Sequence, residues 1–571
     1  MSRLRARDFP GWLAQAASRP ALVAVALLAF CLALHHGALS AGWRFDDGPL
    51  LYFVAKFSPW EYFSSPEVMR QQSWASLTPW NALFYELGLP FSGLDPRGHY
   101  AHLLAVIWLS SVATWFLLRL WLPGAAALAG AALYLAMPAT GAVGRMLMTG
   151  HYAYGLLFSV LSLYLFARGV REGRKGLSLA AALFYALACL CKELYPPLIA
   201  AMLLLPVGTF RERLRHLPAM LAAAAAYAAL RLTVLQGVNT YARPPLDGGL
   251  SAGEIGRQFL DALFGAGWPG ALGILAALLA LLVAVFSPRQ RVAWGFVLVF
   301  LLLAVLPILG MARMGFADLT ASRLLYLLSW SLAVGIAWSL GRSRVFGAFP
   351  LVVAVALALG QQGTASHIDA AARPLEAQYR FVAEPRPDAF LLPPGFAYVG
   401  YLESMREASL RLGRAQLPAV LKSEDELARI GGDSGARVFH WSPDCGCVAP
   451  MGAGSEAFLR EHRAMLDAGI GRTLRLIVEI EDHGIRKLLR WKFASEHPGS
   501  FELHLIEYMR YAVPPEGEIP FGMDVTAPRN AELHLRVQLR SPEGWLARSP
   551  VLTIHPGRAS RVEWAGPSAR E

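Results

Sequence analysis

Ionisable side chains set against long apolar runs are the first places to look for chemistry. The string Trp43-Arg44-Phe45-Asp46-Asp47 places two carboxylates just after such a run. Lys192 and Glu193 interrupt the apolar stretch 178–207, and Lys192 is one of only six lysines. Arg145, His151, Arg231, Asp318 and Arg323 stand at the ends of other apolar runs. A carboxylate in such a place can take a proton from a nucleophile, and fixed cations can hold an anionic group or a developing negative charge. Each residue also has a plain structural reading. Asp46 and Asp47 can end a helix, and Lys192 and Glu193 can pair across a kink. Arg231 can snorkel to the interface, and His151 can be a hydrogen-bonded core residue.

Of the five cysteines, Cys31, Cys189 and Cys191 lie in apolar runs and read as small packing groups. Cys445 and Cys447 lie in Phe439-His440-Trp441-Ser442-Pro443-Asp444-Cys445-Gly446-Cys447. An oxidising compartment permits a disulfide between them. The string also has a faint likeness to a thioredoxin-type redox turn, although CxC replaces CxxC. His440, Asp444, Cys445 and Cys447 match no standard zinc spacing. Disulfide, redox turn and metal site all stay open here.

The elements that must position these groups follow from composition. The chain has 571 residues, 55% apolar and 16% charged, where a soluble chain has about 45–50% and about 25%. That excludes an ordinary soluble enzyme and a disordered chain. A spanning helix needs about 20 mostly apolar residues. Candidate runs lie at 21–41, 101–119, 123–141, 153–168, 178–191, 194–207, 217–235, 268–286, 292–310, 322–340 and 345–363. These give an α-helical polytopic membrane protein of about eleven spans. The runs 178–191 and 194–207 are short, and Pro196 and Pro197 forbid one continuous helix through them.

The net charge of +11 divides along these spans. One alternate set of links carries 16 basic residues (Arg3, Arg5, Arg7, Arg19, Arg119, Arg168, Arg171, Arg174, Lys175, Arg211, Arg213, Arg215, Arg289, Arg291, Arg342 and Arg344) against Asp8, Glu172 and Glu212. The other set has no such excess: residues 42–100 hold four basic residues and six acids. Basic short loops stay cytoplasmic. The N-terminus is therefore expected inside and the C-terminus outside, with the ionisable candidates near the outer face. The basic residues form no single patch, which excludes a nucleic-acid partner. The first apolar run lacks a small-residue cleavage site and does not read as a cleaved signal.

Two hydrophilic regions then fall outside. Residues 42–100 are rich in aromatics (Trp43, Trp60, Tyr62, Trp74, Trp80 and Tyr85) and read as short helices on the membrane surface. The tail has period-two runs at 474–480, 501–507 and 533–539, with turn sequences at 514–517 and 541–544. These predict a β-sandwich-like part at about 490–557 inside an α+β C-terminal domain, with a helix near Glu456–Leu466. The expected division is 1–365, which includes the loop 42–100, and 366–571.

Several strings carry a family likeness in order: Phe45-Asp46-Asp47; Ser76-Leu77-Thr78-Pro79-Trp80; Leu94-Asp95-Pro96-Arg97-Gly98-His99-Tyr100-Ala101-His102; Pro138 through Arg145 with Leu156-Leu157-Phe158; Cys191-Lys192-Glu193; and Ser322-Arg323-Leu324-Leu325-Tyr326. Together they resemble the C-type polytopic membrane glycosyltransferases, in particular the protein O-mannosyltransferase group and its bacterial homologues, over roughly 20–365. There are departures. His151 stands near where the family often has an Asp after the counterpart of Arg145, and Leu324 replaces a Tyr.

The resemblance implies an inverting hexosyltransferase that moves a sugar from a polyprenyl phosphate to a protein, lipid or glycan acceptor outside the membrane. Asp46 or Asp47 would be the general base. Lys192, Arg323, Arg145 and Arg231, with Glu193 and His151 beside them, would line the lipid-phosphate site. A divalent ion such as Mg2+ or Mn2+, bridging Asp46 or Asp47 and the phosphate, is compatible with that chemistry. The Ala/Leu/Arg-rich, Lys-poor composition suggests a bacterial inner membrane, with site and tail periplasmic. Two competing readings are a lipid-linked glycan transporter or flippase and a non-catalytic envelope assembly protein. The first lacks an internal repeat. The second predicts that Asp46 and Asp47 tolerate change.

Overall fold

A computed structural model describes residues 17–73, 76–235, 251–286, 295, 319–341, 343, 346–391, 399–422, 424–430, 437–451, 454–483, 486–505, 509–521, 532–555 and 559–568. Apart from residue 295, the apolar run 292–310 lies outside the described residues, as do Asp318 and the arginines at 3, 5, 7, 289, 291, 342 and 344. The chain divides into two compact units, one of residues 1–41 and 75–371, the other of 42–74 and 372–571.

The first unit is helical. Among the described residues, seven helices are long and apolar enough to cross a membrane: Pro20–Ser40, Pro96–Arg119, Leu147–Glu172, Pro218–Leu235, Gly267–Phe286, Ser322–Leu340 and Phe349–Ala383. The bent pair Gly124–Ala136 and Pro138–Gly144 makes an eighth if it counts as one span. Large apolar side chains lie exposed along several of these helices, such as Leu22 and Val25 on the first and Leu278, Leu282 and Val285 on Gly267–Phe286. In water such rows would be a liability; in lipid they are the contact surface. The chain is an integral membrane protein. Of the two short runs, 178–191 becomes the helix Lys175–Cys189. Within 194–207 only Leu198–Leu204 is helical, about 10 Å long at 1.5 Å per residue. Pro196 and Pro197 supply the expected break before it.

The bend between Gly124–Ala136 and Pro138–Gly144 measures 59°. Pro138 has no N–H for the Tyr134 carbonyl, so the ladder breaks there. The Thr140 hydroxyl donates to that carbonyl at 2.8 Å instead. Gln361 Nε2 donates to the Leu135 and Met137 carbonyls at 3.1 and 3.0 Å. A buried amide thus adds donors at the break, where the Leu135 carbonyl also meets His35 Nε2 at 3.3 Å and the Met137 carbonyl also accepts the Thr140 and Gly141 N–H groups.

In the second unit, residues 42–74 form short helices, Asp47–Lys56, Glu61–Ser64 and Pro66–Gln72. That residues 42–74 group with 372–571 corrects the expected boundary at 365/366. The cause is local bonding. The buried Arg44 pairs with Glu376 at 2.7 Å, and helix Val399–Arg411 packs along Asp47–Lys56. The aromatics of this region are not all interfacial anchors either. Trp43 and Tyr62 are buried inside the protein, whereas Trp60 is exposed.

Strands β1 (Ala389–Leu391), β2 (Ala419–Leu421), β3 (Val438–Ser442) and β4 (Cys447–Pro450) form a sheet of order β2-β1-β3-β4. The first three are parallel and β4 is antiparallel. Nine more strands follow: β5 (Thr473–His483), β6 (Arg486–Ser495), β7 (Ser500–Leu505), β8 (Met509–Val513), β9 (Glu516–Phe521), β10 (Leu533–Arg540), β11 (Leu546–Arg548), β12 (Leu552–Ile554) and β13 (Ser560–Pro567). They make two antiparallel sheets, β13-β5-β6-β9 and β11-β10-β7-β8 with β12 on β10. Alternate residues of both, such as Leu476, Val478, Leu503, Leu505, Leu535 and Val537, fill one core. Period-two patterning creates such a sandwich. The strand-rich part runs from 473 to 567, wider than the expected 490–557, because β5 pairs with β13 along its length. The expected helix near 456–466 is Gly454–Gly469.

Candidate functional site

In the second unit, Asp46 and Asp47 turn to different surroundings. Asp47 is fully buried, and its Oδ2 accepts the Arg44 backbone N–H at 2.7 Å. Asp46 is exposed, and its Oδ1 accepts the Tyr401 hydroxyl at 2.8 Å. The preceding Phe45 sits at φ 49°, a left-handed conformation costing a bulky residue about 1–3 kcal/mol. Tyr379 holds it there: its hydroxyl donates to the Phe45 carbonyl at 2.7 Å and accepts the Gly48 N–H at 3.3 Å. Gly48 is required by close approach. A Cβ there would lie 2.6 Å from the Tyr401 carbonyl and 2.8 Å from the Tyr379 ring. Glu376 adds a second clamp, accepting the Gly42 N–H at 2.8 Å beside Arg44. The result is one carboxylate presented outward from a turn fixed by a buried one.

In the first unit, Lys192 and Glu193 lie just after Lys175–Cys189. Glu193 Oε1 accepts Arg231 Nη1 at 2.5 Å and the Leu77 N–H at 2.7 Å. Lys192 Nζ lies 3.7 Å from Glu193 Oε2 and donates to Ser76 Oγ at 2.9 Å. It also sits 5.9 Å from the centre of the Tyr152 ring. Lys192 and Arg323 both lie within electrostatic reach of the buried His151. Lys192 and Arg231 therefore flank one acid, Glu193, while His151 lies within electrostatic reach of Lys192 and Arg323. Two permanent positive charges against one negative leave a net positive charge there, which suits an anion such as a phosphate.

Arg145 has a different role. Its Nη1 pairs with Asp369, on the helix Phe349–Ala383. Tyr100 donates to the Arg145 carbonyl at 3.3 Å. The carboxylate that the sequence lacks just after Arg145 thus comes from 224 residues away. Asp369, Tyr401, Tyr379 and Glu376 carry no local signature, and only folding brings them to their partners.

For a metal, Asp46 and Asp47 do not present their carboxylates to a common point, one being exposed and the other buried. Among the described residues no group of three or more His, Cys, Asp or Glu side chains could hold an ion. The cysteines Cys445 and Cys447 are joined as a disulfide, and Cys31, Cys189 and Cys191 are buried thiols.

A helical membrane unit with charged side chains among its apolar helices, and a second, strand-rich unit, set the class. Within it, residues 82–234 match the family model described as dolichyl-phosphate-mannose-protein mannosyltransferase. The likeness to the C-type glycosyltransferases drawn from the sequence motifs therefore holds, and Arg145, His151, Lys192, Glu193 and Arg231 all fall inside the matched stretch. Among solved structures, the chain is similar to ArnT from Cupriavidus metallidurans bound to undecaprenyl phosphate. The identity is 14% and the TM-score 0.44, over 76% of this chain and 94% of that one. It is also similar to the Archaeoglobus fulgidus oligosaccharyltransferase in complex with Zn and sulfate, at 13% identity and TM-score 0.41, over 79% and 71%. A third is the oligosaccharyltransferase AglB from Archaeoglobus fulgidus with an inhibitory peptide and a dolichol-phosphate, at 12% identity and TM-score 0.41, over 88% and 76%. No curated protein sequence matches the chain.

Proposed function

We propose that the protein is an inverting glycosyltransferase that moves a hexose from a polyprenyl-phosphate carrier to a protein, lipid or glycan acceptor. The observation that carries this reading is the coincidence of two features. The cluster Lys192–Glu193–Arg231 falls inside the stretch matched by the family model, whose description names a lipid-phosphate sugar donor.

The chemistry assigns a role to each group. The acceptor oxygen or nitrogen attacks the anomeric carbon and sheds its proton, and the lipid phosphate leaves with the bonding pair. Asp46, the exposed carboxylate, takes the proton. Lys192, Arg231 and Arg323 stabilise the charge that grows on the phosphate. Asp47, Tyr401 and Tyr379 hold the turn that carries Asp46. A single displacement inverts the anomeric centre. Arg145, paired with Asp369, supports the bundle.

Loop charge supports the orientation: 16 basic residues against three acids in one set of links put the N-terminus in the cytoplasm. We place the site and the C-terminal unit on the outer, periplasmic side of a bacterial inner membrane, which requires an odd number of spans. The direct test supplies membranes containing the protein with polyprenyl-phosphate hexoses and follows sugar into proteins, lipids and glycans. Transfer by the native chain and its loss in Lys192→Ala is the expected result. Equal transfer by both would overturn the site, and no transfer from any such donor would overturn the function.

A further inference from the structure

The disulfide at the β3–β4 turn stands outside everything assigned above. Residues 443–447 are all exposed. The turn does not need the sulfur link to close: Ser442 pairs with Cys447 and Trp441 with Val448 in the ladder. The Gly446 N–H also bonds the Pro443 carbonyl at 3.3 Å. Gly446 sits at φ +59° with open space around it. Nothing buried rests on the bridge.

A cross-link stabilises a fold mainly by restricting the unfolded chain, and the effect grows with the length of the loop enclosed. Here the two cysteines enclose a single residue, so the restriction is small. A structural staple would join distant segments. This one joins neighbours that the backbone already holds. Cys31, Cys189 and Cys191 are buried in the helical unit, so the exposed pair is also self-contained.

We infer that Cys445 and Cys447 form a reversible thiol–disulfide centre that exchanges with a dithiol partner. The partner's thiolate attacks one exposed sulfur, the S–S bond breaks, and the other sulfur leaves as a thiolate and takes up a proton. The partner's second thiol then displaces the mixed disulfide. Two electrons pass to the cysteine pair, and the partner ends as a disulfide.

The test uses the full chain in detergent micelles without denaturant. Reduced and oxidised glutathione are mixed at graded ratios, with dithiothreitol as the dithiol probe. After acid quenching, the thiols are alkylated and the peptide containing Cys445 and Cys447 is read by mass spectrometry. The expected result is a reduced fraction that follows the glutathione ratio and is reached from both the oxidised and the reduced side. Dithiothreitol should open the bridge within minutes, with circular dichroism unchanged. The Cys445→Ser/Cys447→Ser variant should melt within about 3 °C of the native chain. A bridge that opens only in denaturant overturns the inference. So does a larger fall in melting temperature in the double variant, which would mark a structural cross-link.

Discussion

The Tyr401 hydroxyl and Asp46 Oδ1 lie 2.8 Å apart although 355 residues separate them in the chain. One carboxylate oxygen is thereby held by a donor, while Asp46 itself stays exposed. A general base benefits from this arrangement, because a fixed carboxylate loses less freedom when it meets its proton donor. Asp46→Asn keeps the shape and removes the proton acceptor. Transfer should fall about 100-fold or more, with insertion and melting preserved. Tyr401→Phe removes only the tether, and a drop of roughly two- to tenfold is expected. Wild-type turnover in Asp46→Asn would end the assignment.

Asp47 should behave in the opposite way. Its fully buried carboxylate accepts the Arg44 N–H, and the same turn holds Phe45 in its left-handed conformation. Asp47→Ala leaves that donor without its acceptor, at a cost of about 1–3 kcal/mol. The measurement is thermal unfolding in micelles. The melting temperature should fall clearly in Asp47→Ala and stay near the native value in Asp46→Asn. The reverse order would exchange the two roles.

Glu193 and Arg231 form a half-buried pair, with side chains 26% and 17% exposed. Removing Glu193 takes an acidic partner from Arg231, and removing Arg231 leaves Glu193 with Lys192 at 3.7 Å. Glu193 also anchors the Leu77 N–H. In a double-mutant cycle of Glu193→Ala and Arg231→Ala, the combined loss of stability should be smaller than the sum of the single losses. A coupling of about 0.5–3 kcal/mol is expected. Strict additivity would mean that the pair is incidental, and Arg231 would then be a snorkelling side chain.

Much of this architecture was legible from the residues. Apolar runs located the helices, because a membrane demands length and the composition supplies it. Pro196 and Pro197 marked a real break, and period two in 474–480, 501–507 and 533–539 marked strands β5, β7 and β10. What escaped was anything set by long-range pairing. The grouping of 42–74 with the C-terminal unit rests on Arg44 with Glu376 and Asp46 with Tyr401, over 332 and 355 residues. Asp369 opposite Arg145 is of the same kind. Adjacent Asp46 and Asp47 were indistinguishable by type, and burial separates them. Two strings read separately, Ser76-Leu77 and Lys192-Glu193, meet through Lys192 on Ser76 Oγ and Glu193 on the Leu77 N–H.

The bend at Pro138 offers a test of how the helical unit stays closed. Its 59° turn interrupts the helical hydrogen-bond ladder at the end of Gly124–Ala136. Gln361 reaches the Leu135 and Met137 carbonyls with one NH2 group. Both partners are acceptors, so only a side chain with two donor hydrogens fits. Gln361 is also nearly completely buried. Gln361→Leu keeps the volume but removes a donor from both carbonyls, leaving Leu135 with His35 Nε2 at 3.3 Å and Met137 with the Thr140 and Gly141 N–H groups, and a loss of about 1 kcal/mol is expected. Gln361→Glu turns an acceptor toward two acceptors and should be worse. Unfolding in micelles should therefore rank the native chain above the Leu variant and the Leu variant above the Glu variant. If the Leu variant matches the native chain, the remaining donors from His35, Thr140 and Gly141 suffice, and the bend does not depend on Gln361.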